Sequence, residues 1–328
     1  MKRVLVTGGT GMIGAALVAR LVAEGDGVTL LIRDRSNRSR LQGLEERLSF
    51  CAGDIRDEAA VKSAVRQAKP EVVFHLASTP FNPPTISPQM HLETIVKGTM
   101  NLMEALSDRP AVRVVAAGSA AAYGSGSQLR EDAPLRPGTV LGAMKASASL
   151  LLQMAARRSH LHTIELRLFT PYGPWEHPNR LIPYTILSAL AGQDIRMTEG
   201  RQQRDMIFID DVVEAFCAAA VKPVPAGSVL NIGFGVGTPV HTLVERLLAL
   251  MGNPVKPLIG ALPTRPDEIL EMSADIAAAK AHMGWEPRTS IEEGLRRTIA
   301  WFTEHRELAN QVAQRPSEPA RDTVGASA

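Results

Sequence analysis

The stretch VLVTGGTGMIGAAL, residues 4–17, places three glycines of a spaced motif between an apolar strand pattern and the start of an amphipathic helix pattern. Gly8 permits a tight turn after the strand, Gly11 lets the backbone approach a pyrophosphate, and Gly14 lets the helix and the strand pack closely. The first turn of the helix then offers unpaired backbone amides to the phosphates. The stretch therefore predicts a dinucleotide-binding turn at the start of the fold.

Short apolar runs and amphipathic stretches alternate after this turn. Continuous apolar runs are typical of strands that are covered on both faces. Such runs lie at 3–7, 27–33, 47–53, 71–78, 112–119 and 163–169. Helical periodicity is found between them, at 13–21, 57–68, about 90–107 and about 142–158. The alternation predicts an α/β fold of the Rossmann type, with a doubly wound parallel sheet.

The pattern loosens after residue 170 and predicts a smaller C-terminal substrate-binding lobe. Strands are expected at 204–209 and 228–233 with a helix at 210–221 between them, and further helices near 181–191, 238–251, 273–283 and 291–305. The predicted dinucleotide-binding domain covers 1–170, with the segment from about 204–233 returning to it, and the lobe covers 171–203 and 234–308. The polar tail over 309–328 is expected to be disordered.

Composition and charge exclude several classes of protein. The 328 residues carry 45% hydrophobic and 21% charged side chains and a net charge of +2. No basic tract indicates nucleic-acid binding, and no apolar run reaches the roughly 18 residues that a membrane span needs. The first apolar run is too short for a signal-peptide core, and Cys51 and Cys217 give no disulfide framework or metal-ligand spacing. We therefore expect a cytoplasmic enzyme with no metal and no nucleic-acid or membrane partner.

The end of the second predicted strand, LLIRDRSNR at 30–38, indicates which dinucleotide binds. An NAD enzyme usually has Asp or Glu there, to accept a hydrogen bond from the ribose 2′-hydroxyl. Ile32 takes that position here, and Arg33 follows it, with Arg38 nearby. Because a guanidinium suits a 2′-phosphate, the sequence favours NADP(H), while Asp34 leaves NAD(H) as the alternative.

Further motifs are spread over residues 1–305: GDIRD, HLAS, GSAAAYG, LRLFTPYGP, RQQRDMIFIDDVVEAF, LPTRPDE and MGWEPRTSIEEGLRRTIAWF. Together with TGGTGMIG they resemble the extended short-chain dehydrogenase/reductases, the branch of nucleotide-sugar epimerases, dehydratases and ketoreductases. The resemblance implies a Rossmann domain, a C-terminal substrate lobe and a homodimer formed through the helices near 90–107 and 142–158.

The resemblance also implies an active site of Asn, Ser or Thr, Tyr and Lys, and this sequence departs from it at two positions. Ser119 and Lys145 fill the Ser and Lys positions, but Leu141 stands in the Tyr position and Ile95 in the Asn position. A leucine cannot exchange a proton, and losing a positioned acid or base costs about 10²–10⁴ in rate. We therefore expect a non-standard active site in which Ser119 and Lys145 are catalytic.

Other contacts follow from the resemblance and from residue chemistry. The expected dinucleotide contacts are Gly8, Gly11, Met12, Ile13, Gly14, Arg33, Arg38, Asp54, Ile55, Leu76, Ala77 and Lys145. The expected substrate contacts are Tyr123, Leu141, Tyr172, His177, Asn179, Arg204 and Arg265. Two alternatives remain open for these groups. Tyr123 or His177 could replace the lost acid, and the two arginines could either clamp a diphosphate or pair with neighbouring carboxylates, Arg204 with Asp205 or Asp210 and Arg265 with Asp267 or Glu268.

The missing tyrosine bears on the direction of the reaction. Ketone reduction tolerates the loss better than alcohol oxidation, because oxidation needs a base that removes the hydroxyl proton, whereas a held ketone already gains proximity and orientation. We therefore expect an NADPH-dependent ketoreductase that acts on a nucleotide-activated keto sugar or on another ketone of secondary metabolism, such as a polycyclic one. An NAD-dependent nucleotide-sugar epimerase or dehydratase with another base is the first alternative. A non-catalytic NADP(H)-binding protein is the second.

Overall fold

The computed structural model describes residues 1–79, 86–264, 268–305 and 307. The predicted tail over 309–328 and the predicted substrate contact Arg265 lie outside these residues. In chain order the strands are β1 (Arg3–Thr7), β2 (Gly27–Ile32), β3 (Leu48–Ala52), β4 (Val72–His75), β5 (Arg113–Ser119), β6 (Gly126–Leu129), β7 (His162–Leu168), β8 (Thr170–Tyr172), β9 (Ile195–Arg196), β10 (Gln203–Phe208), β11 (Ser228–Ile232), β12 (Gly237–Pro239), β13 (Pro257–Leu258) and β14 (Met272–Ala274).

The helices are α1 (Met12–Ala23), α2 (Glu58–Ala68), α3 (Pro88–His91), α4 (Gly98–Ala105), α5 (Val140–Arg158), α6 (Leu181–Leu190), α7 (Ile209–Val221), α8 (Val240–Leu250), α9 (Ala277–Met283) and α10 (Ile291–Glu304). A π-helical turn, Leu92–Lys97, joins α3 to α4, and a 3₁₀ turn, Ala120–Ala122, follows β5. No helix of the described residues combines the length and the apolarity that crossing a membrane demands. In the same residues, no group of three His, Cys, Asp or Glu side chains is placed to hold a metal ion.

Seven strands form a parallel sheet in the order β11-β7-β5-β4-β1-β2-β3. One apolar core lies between the sheet and α1, α7 and α9, and a second lies between its other face and α2, α4 and α5. The predicted doubly wound sheet is therefore confirmed. The strand order reverses between β1 and β4, and ligands of such sheets bind in the crevice at the carboxyl ends of the strands on either side of that point.

The second lobe has a core of its own. It is built on a three-stranded sheet, β12-β10-β8, covered by α6, α8 and α10. The segment expected to return to the main sheet divides between the two: β11 pairs with β7 of the main sheet, whereas β10 pairs with β8 and β12. The helix expected near 273–283 also begins later, because the residues at its start form β14, which pairs with β6.

The glycine turn after β1 is as compact as its sequence implies. Gly8 has a φ of +74°, in the left-handed region that favours glycine, and a Cβ there would lie 2.5 Å from the carbonyl carbon of Leu76 at the end of β4. A Cβ at Gly14 would lie 2.2 Å from the carbonyl oxygen of Gly8. Helix α1 can therefore begin directly against the turn only because this position carries no side chain.

Alanine substitutions at Gly11 and Gly14, at the start of α1, distinguish an effect on folding from an effect on dinucleotide binding. We expect Gly14→Ala to lower the free energy of unfolding by about 1–3 kcal/mol, because its methyl group overlaps the Gly8 carbonyl. Gly11→Ala serves as the control, since a Cβ there stands 3.4 Å from the carbonyl oxygen of Gly8, an ordinary contact, and this substitution should weaken dinucleotide binding instead. Urea unfolding measures the first effect, and an equal loss of stability in both variants would contradict the assignment.

Candidate active site

A cavity of about 580 Å³ opens at the carboxyl ends of the central strands and runs between the dinucleotide-binding domain and the second lobe. The expected contacts that line it are Gly8, Gly11, Met12, Ile13, Gly14, Leu76, Ser119, Leu141, Lys145, His177 and Arg204. The cavity therefore joins the glycine turn, the expected catalytic pair and one of the two expected phosphate-binding arginines. Its size falls within the range of cofactor and ligand sites.

The glycine turn fits the pyrophosphate of a dinucleotide. Helix α1 begins after Gly11, which has no side chain to accept hydrogen bonds from the amides of the first turn, and that turn contains no acidic residue. The amides are thus left to an anionic ligand, which the positive end of the helix attracts. Gly11 also faces the cavity, so the backbone is open to close approach.

The start of α5 is held against the end of β5. Thr139 caps the helix by accepting a hydrogen bond from the amide of Gly142, with 3.0 Å between the oxygen and the nitrogen. A Cβ at Gly142 would lie 2.3 Å from the carbonyl oxygen of Ala121, so the helix touches the 3₁₀ turn backbone to backbone. Leu141 and Lys145 of this helix line the same cavity as Ser119.

Ser119 and Lys145 provide the polar groups at the centre of the cavity. The Ser119 hydroxyl accepts a hydrogen bond of 3.2 Å from the amide of Ala121, which leaves its proton for a ligand oxygen. The Lys145 ammonium donates to the carbonyl of Ala117 at 2.9 Å. Burial lowers the pKa of Lys145 to about 8, against an opposing effect of the Glu165 carboxylate. A neutral amine is therefore accessible close to neutral pH, next to the aliphatic side chain of Leu141.

A chain of neutral hydrogen bonds lies behind the catalytic lysine. Thr99 donates to the carbonyl of Ile95 at 2.6 Å, so its oxygen accepts from Nε2 of His75 at 3.1 Å. Thr7 then donates to Nδ1 of His75 at 2.8 Å. Burial lowers the pKa of His75 to about 3, with the Lys145 charge adding to the effect. The imidazole is thus neutral and structural, and Ile95, in the family's Asn position, is buried beside it.

Two ion pairs line the far side of the cavity. Arg204 donates to the carboxylate of Glu268 and to the carbonyl of Ile269, the latter at 2.7 Å. Its partner is therefore neither of the two carboxylates expected for it. Arg180 donates to Glu176 at 3.0 Å. Both arginines line the cavity, where an anionic part of a ligand could be held.

Two expected substrate contacts, Tyr123 and Tyr172, do not line the cavity. Tyr123 is 2% exposed and its hydroxyl donates to Asn231 at 2.8 Å, and burial raises its pKa to about 12. Tyr172 is 1% exposed, with its ring 5.6 Å from that of Phe208. Both rings complete apolar cores instead of lining the cavity, and the buried, hydrogen-bonded Tyr123 is not placed to replace the missing acid.

Several expected dinucleotide contacts lie outside the cavity wall. Arg33 and Arg38 follow the carboxyl end of β2, and both are exposed. The Arg38 guanidinium lies 4.7 Å from the centre of the Phe50 ring. The Asp54 carboxylate is bound by Arg56 at 2.8 Å, which also holds its pKa below the usual range. Asp54 does not cap α2, whose N-cap is the neighbouring Asp57.

The remaining expected contacts, Ile55, Ala77 and Asn179, also lie outside the wall of the main cavity. Ile55 is buried, and its carbonyl accepts from Asn101 at 2.9 Å. Ala77 lines a smaller internal cavity behind the site. Asn179 does not cap α6, which begins after Arg180.

Sequence reasoning missed Arg40, which bridges the two sides of the cleft. Its guanidinium donates to the carbonyl of Thr10 in the glycine turn at 3.3 Å and to the carbonyl of Trp175 in the second lobe at 2.9 Å. It also lies 5.9 Å from the centre of the Trp175 ring. No local pattern indicates this role, because both acceptors are backbone carbonyls and one is 135 residues away.

The fold and the cavity define a class of protein: a dinucleotide-binding enzyme of the Rossmann type whose site is completed by a second lobe. The model of the NAD dependent epimerase/dehydratase family matches residues 4–233. The chain belongs to that family, and the expectation of an NAD(P)-dependent enzyme is confirmed.

Individual relatives cover nearly the whole chain. The chain is 29% identical to dTDP-glucose 4,6-dehydratase of Neisseria meningitidis serogroup B, over 93% of its own length and 94% of the relative's. It is 30% identical to UDP-glucose 4-epimerase of Mycolicibacterium smegmatis, over 92% and 98%. Its structure resembles UDP-glucose 4-epimerase of Thermotoga maritima bound to UDP-glucose, with a TM-score of 0.85, 29% identity and coverage of 92% and 99%. It also resembles MoeE5 in complex with UDP-glucuronic acid and NAD, with a TM-score of 0.82, 30% identity and the same coverage.

These similarities correct the expected reaction. The relatives are dehydratases and epimerases of nucleotide sugars, so the ketoreductase prediction is wrong and its first alternative fits better. The prediction assumed that a site without the tyrosine lacks a base. The structure weakens that premise, because the buried Lys145 amine has a pKa of about 8 and faces the cavity.

Proposed function

We propose that the chain is a nucleotide-sugar epimerase that transiently oxidises its sugar substrate. The observation that carries the proposal is the continuity of one cavity, which runs from the glycine turn past Ser119 and Lys145 to Arg180 and Arg204. Such a cavity can hold a dinucleotide and a second anionic ligand with their reactive parts side by side. The relatives that bind UDP-sugars support the same substrate class.

The two arginine–carboxylate pairs are suited to the diphosphate of the substrate. Guanidinium groups bind phosphate oxygens through parallel, charge-assisted hydrogen bonds. Glu176 is buried, and one of its carboxylate oxygens has no hydrogen-bond partner among the described residues. Ion pairs with the carboxylates restrain Arg180 and Arg204 at the cavity wall, which reduces the entropy lost when the diphosphate binds.

A dinucleotide held at the glycine turn would supply a hydride acceptor, and the cycle would then consume no net oxidant. The neutral Lys145 amine accepts the proton of the sugar hydroxyl and gives it back after the ketone has turned its other face. Ser119 donates a hydrogen bond to the same oxygen and stabilises the charge that develops on it. Leu141 excludes water from this side of the sugar.

An epimerase suits the site better than a dehydratase. Eliminating water from a keto sugar needs one group to remove a carbon-bound proton and another to protonate the departing hydroxyl. The carboxylates that line the described cavity, Glu176 and Glu268, are paired with arginines. The three residues that follow Ser119 directly, at 120–122, are alanines and supply neither an acid nor a base.

Turnover in deuterium oxide distinguishes the two reactions. Incubation with UDP-glucose and with dTDP-glucose should give the C4 epimer without deuterium on carbon, because hydride returns to the carbon it left, and proton NMR of the sugar measures both properties. Lys145→Met should reduce the rate by about 10²–10⁴, whereas Lys97→Met, an exposed lysine on the neighbouring helical turn, should not. A 6-deoxy-4-keto product with deuterium beside the ketone would instead establish a dehydratase. If neither sugar is converted, the proposal is wrong.

The dinucleotide is proposed to be NADP(H). Ile32 is buried at the end of β2 and offers no acceptor to the ribose hydroxyls, and the exposed Arg33 follows it. A 2′-phosphate placed there would meet a positive charge.

Fluorescence titration compares the two reduced cofactors directly. The wild type should bind NADPH about tenfold more tightly than NADH, a difference of one charge-assisted contact. Arg33→Ala should remove the preference, while Arg158→Ala, at the far end of α5, should keep it. Tighter binding of NADH by the wild type would show that the cofactor is NAD(H).

We also propose a homodimer formed through α4 and α5. Met100 on α4 and Leu150 and Met154 on α5 are exposed apolar side chains, with Met90 and Leu92 close by in the chain before α4. Adjacent apolar side chains of this size are costly to leave in water. Light scattering should show a dimer, and Leu150→Glu should convert it to a monomer, whereas a monomeric wild type at micromolar concentration excludes the proposal.

A further inference from the structure

A second, smaller cavity lies behind Lys145, on the side away from the main cavity. It measures about 10 Å³, close to the size of one water molecule. Lys145 lines both cavities, so its side chain separates the two. Glu165 carries the acidic side chain among the residues that line the smaller cavity, and the proposed reaction makes no use of it.

The position of Glu165 depends on a gap in the neighbouring strand. Glu165 lies on β7 opposite Ala116 of β5 and is 2% exposed. A Cβ at Gly118 would stand 2.2 Å from the Oε1 atom of Glu165, so the carboxylate occupies the space that this glycine leaves. A carboxylate in an otherwise apolar layer between sheet and helix is costly unless charges or donors surround it.

Arg167 forms an ion pair with this carboxylate, and Lys145, which lines the same small cavity, interacts with its charge at longer range. Ser149, one helical turn after Lys145, donates to it, and the Nε of Arg167 lies 3.5 Å from Oε1 without forming a hydrogen bond. The remaining Arg167 nitrogens donate to Ser149 at 2.9 Å and to the carbonyl of Glu131 at 3.4 Å. Arg167 therefore donates its hydrogen bonds to Ser149 and to the Glu131 carbonyl rather than to Glu165. Lys145 is the other cation whose charge Glu165 balances.

We infer that Glu165 is a positioning residue for Lys145: its carboxylate lines the same small cavity as the lysine and attracts the ammonium group. The inference rests on the proposed function, in which the amine of Lys145 is the base. Burial alone acts against the ammonium, and the Glu165 carboxylate is the group that opposes it. His75, which faces the same cavity, is neutral and does not contribute a compensating charge.

The role of Glu165 fits an active site in which Leu141 replaces the family's tyrosine. A lysine that acts directly as a base becomes an ammonium group when it takes the proton, and Lys145 does so at a buried position. The Glu165 carboxylate makes that form accessible, and it does so from behind, without occupying space that the sugar needs. A residue that acts on the protonation of Lys145 should therefore change the pH dependence of the reaction before it changes substrate binding.

The test measures the titration of Lys145 in the full chain without dinucleotide. Lysines are converted to ¹³C-dimethyl-lysines, and the Lys145 resonance is assigned by its loss in Lys145→Met. Glu165→Gln should lower the pKa of Lys145 by about one unit or more, because an adjacent opposite charge is removed. Glu131→Gln is the matched control, a carboxylate that borders the same Arg167 but not the smaller cavity, and it should leave the Lys145 titration in place.

The pH dependence of turnover gives a second readout with a defined sign. If neutral Lys145 is the base, kcat rises with pH through the pKa of Lys145, so the acid limb should move to lower pH in Glu165→Gln while KM changes little. Should Glu165→Gln fail to fold, Glu165→Asp keeps the charge but withdraws it by one methylene, and a smaller shift in the same direction is expected.

The outcomes separate the inference from the proposed function. An unchanged Lys145 titration in Glu165→Gln or Glu165→Asp overturns the inference, even if the wild type epimerises nucleotide sugars. A lowered Lys145 pKa supports the electrostatic role of Glu165, whether or not any sugar is turned over. If the pKa is lowered but the acid limb of kcat does not move, Lys145 is not the base and the positioning role in catalysis is excluded.

Discussion

The backbone contact between the first turn of α5 and the 3₁₀ turn after β5 is the constraint on which the site depends. Gly142 allows the helix to approach the Ala121 carbonyl with no side chain between them. The approach brings Lys145 from the helix to Ser119 at the strand end, and it also directs the ammonium toward the Ala117 carbonyl. A larger residue at this position would move the whole helix, because its N-terminus is also fixed by the Thr139 cap.

Much of the fold could be predicted from the sequence, because its signals are local. The glycine spacing before α1 and the continuous apolar runs determine the doubly wound sheet, and the observed strands begin and end within a few residues of the predicted ones. The pairing of β10 could not be predicted in this way. Its sequence is as apolar as a strand of the main sheet, and only the tertiary contacts with β8 and β12 assign it to the second lobe.

The candidate site shows the same division between local and tertiary information. The resemblance to the family placed Ser119, Leu141 and Lys145 together, and all three line one cavity. Tyr123 could not be placed in this way, because an aromatic residue near the site can line a cavity or complete a core, and its hydrogen bond to Asn231 decides for the core. Glu165 was missed for a related reason: it lies in an apolar strand pattern, and only the space beside Gly118 makes its carboxylate part of the site.

The Arg40 bridge has a consequence for the kinetics of cofactor exchange. It connects the phosphate-binding turn to the second lobe through two carbonyls, and the Trp175 backbone that accepts one of these bonds has a φ of +64°, a conformation that few residues adopt without support. The bridge therefore opposes separation of the two lobes at the crevice. In the proposed epimerase, which would regenerate its own hydride carrier in every cycle, this resistance would favour retention of the same cofactor molecule over many turnovers.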